Sequence, residues 1–153
     1  MDYQQLLLAL LPDLLVVVAL FAALWVDYSR MRGSRLAERY QMACQISAAG
    51  LIAGLAVILV QLTQASSFKA LASITDGQLV LNTSTLTLKA LLYAMGLGVL
   101  PLAKRDQITP QVSEYFALLL LATLGMGFVV TSRNLLGAFV ALELVSLSLY
   151  AMT

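Results

Sequence analysis

Apolar and polar residues alternate in blocks along the chain, giving five long apolar runs separated by polar connectors. The runs cover about residues 6–28, 42–62, 86–103, 114–131 and 134–153. Each approaches the roughly 20 apolar residues that a helix rising about 1.5 Å per residue needs to cross a hydrocarbon layer about 30 Å thick. The pattern therefore predicts an all-α fold, an integral membrane bundle of five transmembrane helices forming one domain over residues 1–153. Pro12 and Asp13 interrupt the first run. Proline is best tolerated in the first turn of a helix, so the regular helix is expected to run from near Pro12 to Tyr28, with Asp13 in a first turn where the dipole favours an anion.

The connectors set the topology. Ser29 to Arg39 holds Arg30, Arg32, Arg35 and Arg39 against the single acid Glu38, the composition of a cytoplasmic loop. With Lys104 and Arg105 on the same side, and Lys69, Lys89 and Arg133 on the other, the basic residues predict an external N-terminus and a cytoplasmic C-terminus. Between the second and third runs, Asp76-Gly77 separates two short β-compatible stretches and predicts a small external β-hairpin. The three-residue turn Ser132-Arg133-Asn134 makes the fourth and fifth spans antiparallel neighbours.

Composition narrows the chemistry. The 153 residues are 61% hydrophobic and 11% charged, with no histidine, one cysteine and a net charge of +1. No stretch interleaves aromatics with arginines, so a nucleic-acid partner is not expected. Without histidine or a second cysteine, the chain has no internal disulfide, no metal site of the usual His/Cys type and no Ser-His-Asp triad. The N-terminus lacks the basic residues of a signal peptide, so the first apolar run is expected to stay in the mature protein. Gly50 and Gly54, four apart in the second run, share a helical face and predict close helix packing. Lys89 lies near one end of its run and is expected to extend its ammonium to the interface, and Cys44 reads as a small apolar residue.

Glu143 is the candidate functional residue. It follows Asn134 by nine residues, about 13.5 Å of helix, which places it near the centre of the hydrocarbon layer. An acid there costs about 2.5 to 3.5 kcal/mol on insertion scales, and intramembrane acids usually mark ion pathways. Its neighbours at helical spacing are Phe139, Val140, Ser146 and Leu147, with no base among them, so its partner must come from another helix, from water or from another subunit. A carboxyl isolated in low dielectric favours its neutral form, which suits a group that takes up and releases protons. The competing reading is a structural acid, hydrogen-bonded to a neighbour. Glu114 and Asp13, near the ends of spans, are expected to be solvated.

Glu114-Tyr-Phe-Ala-Leu-Leu-Leu-Leu-Ala-Thr-Leu-Gly-Met126, Asn134-Leu-Leu and Glu143-Leu-Val-Ser-Leu-Ser-Leu-Tyr150 resemble the fourth and fifth helices of the antiporter-like subunits of proton-pumping NADH:quinone oxidoreductase, respiratory complex I. The likeness is closest to subunit N, mitochondrial subunit 2. Leu11-Pro-Asp-Leu-Leu resembles the opening of its first helix, and Gly77 to Lys89 a stretch before its third. Arg133-Asn134-Leu135 departs from the usual Asn-Asp-Leu turn, and Ser148 stands where many members have proline. The resemblance implies a membrane-arm subunit in the bacterial cytoplasmic (inner) membrane, with Glu143 in the charged chain that couples proton translocation to quinone reduction. It also implies that NADH, FMN, iron–sulfur clusters and quinone are bound elsewhere in the complex, with no cofactor or metal in this chain. The family has about fourteen helices in two inverted repeats. The paired lysines are therefore expected on a partner segment or chain among the other membrane subunits. A subunit of a multisubunit sodium/proton antiporter, or a structural assembly subunit, are the alternatives.

Overall fold

The computed structural model describes residues 3–30, 35–63, 81–106 and 111–152. Five helices form: α1 Tyr3–Arg30, α2 Leu36–Thr63, α3 Thr83–Asp106, α4 Val112–Thr131 and α5 Leu135–Met152. Each is long and apolar enough to span a membrane, and no β-strand occurs among the described residues. This is a multi-pass helical membrane protein. The expected hairpin around Asp76-Gly77 lies outside the described residues.

The helix ends follow elementary electrostatics. Glu38 lies in the first turn of α2, and Lys104 and Arg105 in the last turn of α3, so each charge meets the dipole end of opposite sign. Arg39, read from the sequence as part of a basic loop, belongs to α2 and binds Asp27 of α1 through two donors on one guanidinium edge, Nε–Oδ1 at 2.7 Å and Nη2–Oδ2 at 2.5 Å. That fork fixes the α1–α2 corner in one geometry.

Helices α1 to α4 form a ring in which each packs on its sequence neighbour and α4 closes against α1; α2 and α4 also touch across one diagonal. Gly50 lets α2 approach α1 so closely that a Cβ there would collide with Ala19. The core between the helices contains Val16, Leu51, Ile58, Leu86, Leu120 and Leu124, with Tyr40 and Phe116 in edge-to-face contact at 6.0 Å. Helix α5 packs on α4, where Gly125 admits Val145 and the Ala141 backbone. It is peripheral: only 11% of its apolar window is buried, against 56% for α4. Ser148, at the position where the resembled family often has proline, returns its hydroxyl to the Leu144 carbonyl at 2.7 Å, and α5 continues to Met152.

Candidate functional site

Pro12 does not begin α1; it stands inside a helix that starts at Tyr3. Proline has no N–H, so the carbonyl four residues earlier, Leu8, loses its helical partner. Gln61 of α2 replaces it, donating from Nε2 to the Leu8 oxygen at 2.6 Å. The helix therefore continues through the proline and carries Asp13 into the bundle, where only 4% of the residue is exposed. The expected solvated first-turn aspartate is thus corrected: Asp13 is a buried residue of the helix interior.

Lys89 requires a second correction. Its ammonium does not reach the interface but points across the bundle to Asp13, with Nζ 2.7 Å from Oδ2, and the residue is 2% exposed. Tyr93, one helical turn further along α3, donates its hydroxyl to the other carboxylate oxygen, Oδ1, at 2.7 Å. A lysine cannot snorkel when a carboxylate lies nearer than water and the intervening wall is apolar. The pair joins α1 to α3 across the open diagonal of the ring.

Small residues make this geometry possible. A Cβ on Gly54 would fall 2.9 Å from the Tyr93 ring and 3.2 Å from the Pro12 carbonyl oxygen, so glycine there seats the phenol beside Asp13. Gly127 of α4 faces the aliphatic stem of Lys89. One turn of α4 also supplies Phe128, whose ring centre is 5.9 Å from the Lys89 nitrogen, within cation–π range.

Glu143 lies elsewhere, on the exposed side of α5. It borders an apolar groove of about 630 Å³ whose wall includes Phe128, Phe139, Val140 and Leu147. No described side chain pairs with its carboxylate. The Ser146 hydroxyl, one turn on, is directed instead to the Leu142 and Glu143 carbonyls, each at 3.0 Å. The expected acid and the unexpected ion pair are therefore separate sites that share one wall, Phe128. In candidate spans that begin at Leu7, Thr83 and Leu135, Asp13, Lys89 and Glu143 lie six, six and eight residues in. With each span crossing once, that is about 9 to 12 Å from the same face.

Five helices able to span a membrane, with an Asp–Lys pair buried between them, define a multi-pass membrane protein that holds ionisable groups within its spans. Sequence comparison is more specific. The chain is 35% identical to NADH-quinone oxidoreductase subunit N 2 of Acidobacterium capsulatum over 161 aligned residues, which cover 99% of this chain and 31% of that protein. It is 59% identical to NADH-quinone oxidoreductase subunit N of an Azoarcus species over 39 residues, 26% of this chain and 8% of that protein. No known family profile and no solved structure matches it significantly. Nearly the whole chain is thus related by sequence to NADH-quinone oxidoreductase subunit N, and it spans about a third of the length of the Acidobacterium relative.

Proposed function

We propose that the chain is an N-terminal portion of a proton-translocating, membrane-arm subunit of an NADH:quinone oxidoreductase. It would lie in a bacterial cytoplasmic membrane with its N-terminus outside and its C-terminus inside, beside membrane subunits that include the segment or chain bearing the remaining helices. The observation that carries this reading is the similarity to subunit N 2 along 99% of the chain. NADH, FMN, iron–sulfur clusters and quinone belong to other parts of such a complex, and this chain contributes part of the path for protons.

In that path Glu143 takes up and releases a proton. Its position supports the role: a carboxylate within a span, at the edge of an apolar groove and without a described partner, has to be met by a cation or by water from outside these five helices. Replacing it by glutamine keeps the shape and one hydrogen-bonding oxygen but removes the exchangeable acid. In vesicles holding the assembled complex, Glu143→Gln is expected to lower NADH-driven proton translocation by about a hundredfold, the low end of what a lost proton-transfer group costs. Proton translocation and NADH oxidation at wild-type rates would remove Glu143 from the mechanism.

A further inference from the structure

Glu143 leaves the charged cluster at the bundle centre without a role. Taking both Asp13 and Lys89 out of water costs several kcal/mol per ion, and an apolar pair of similar volume is commonly as stable, so packing alone does not call for these residues. The arrangement is also asymmetric. Both Asp13 oxygens have partners, Lys89 on one and Tyr93 on the other, whereas Lys89 has a single described acceptor for its three N–H groups. The ring of Phe128 lies on the ammonium and also lines the groove that Glu143 borders. Asp13, Lys89 and Glu143 lie at similar depths in their spans, and the single phenyl ring of Phe128 stands between the buried cation and the acid's groove.

We infer that Asp13, Lys89 and Tyr93 form a second proton-transfer site, in series with Glu143 and separated from it by the ring of Phe128; the inference rests on the proposed proton-translocating role. When the ring turns and water enters, one N–H bond of the Lys89 ammonium breaks and an O–H bond forms on the Glu143 carboxylate, the electron pair remaining on Nζ. Ammonium and carboxylate become amine and acid, and total charge is unchanged. Asp13, whose other oxygen accepts from Tyr93, draws the next proton onto Lys89 from water on the far side of the cluster. Lys89 carries the proton, and Asp13 and Tyr93 position it.

The test compares variants by protons moved per NADH oxidised, in vesicles normalised for assembled complex. Lys89→Arg keeps the positive charge and the pair with Asp13, but a guanidinium does not release its proton in a protein. A purely structural pair predicts normal coupling in this variant. The two-site path predicts assembly with a ratio lowered by about a hundredfold. Phe128→Ala leaves both charges in place and removes the barrier, so NADH oxidation should continue while the ratio falls through leakage. A wild-type ratio in either variant overturns the inference, and if Lys89→Arg fails to assemble, Phe128→Ala decides. Glu143→Gln runs alongside: wild-type rates of both proton translocation and NADH oxidation there mark the failure of the proposed Glu143 path on which this inference rests, independently of the other two variants.

Discussion

A lysine and an aspartate buried together in a membrane bundle hold each other in place, because either one alone is an uncompensated charge. Lys89→Met should therefore cost about 3 to 5 kcal/mol of stability, whereas the double variant Asp13→Asn/Lys89→Met, which removes both charges, should recover most of that loss. Thermal unfolding in detergent checks the cycle; equal destabilisation by the single and double variants would contradict mutual compensation. The same pair marks what the sequence concealed. Position along a span suggested an exposed Lys89, yet Leu86, Lys89, Tyr93, Gly96, Leu100 and Ala103 repeat at alternating spacings of three and four and form the buried stripe of α3. Helical phase, rather than distance from the end of the span, carried the signal. Asp13 likewise shares its buried face with Ala9, Pro12, Val16 and Ala19. What phase could not supply was the partner, since Asp13 and Lys89 meet only through the ring arrangement of four helices.

At the scale of elements, the continuity of α1 depends on a residue from another helix. Gln61→Leu removes the donor that Pro12 makes necessary and should cost about 1 kcal/mol, typical of one hydrogen bond between membrane helices. Pro12→Ala supplies a backbone N–H for Leu8 and should relieve much of that cost when combined with Gln61→Leu; unfolding of the single and double variants measures it. Gly54→Ala presses on both the Tyr93 ring and the Pro12 carbonyl and should displace the phenol from Asp13. The five helices were legible because membrane spans are written in uninterrupted hydropathy. The short α4–α5 turn was legible for a similar reason, since three residues allow only an antiparallel return, and Gly125 packs where that return requires it. The proline was misread because its usual place at a helix start takes no account of a side chain from a neighbouring helix.

For the whole molecule, α5 is the open side. Leu135 is 88% exposed and Tyr150 78%, and Glu143 shares this surface with Phe139 and Leu147. An acid among large apolar side chains is poorly suited to lipid and better suited to another protein segment that brings a compensating group. The chain spans about a third of the Acidobacterium relative's length. The most direct measurement is therefore to extract the tagged chain from native membranes in mild detergent and identify what accompanies it. Flavin- and iron–sulfur-bearing polypeptides, further membrane subunits and NADH-dependent quinone reduction are expected in the same fraction. Recovery with antiporter subunits alone, without flavin or NADH oxidation, would contradict the proposed role.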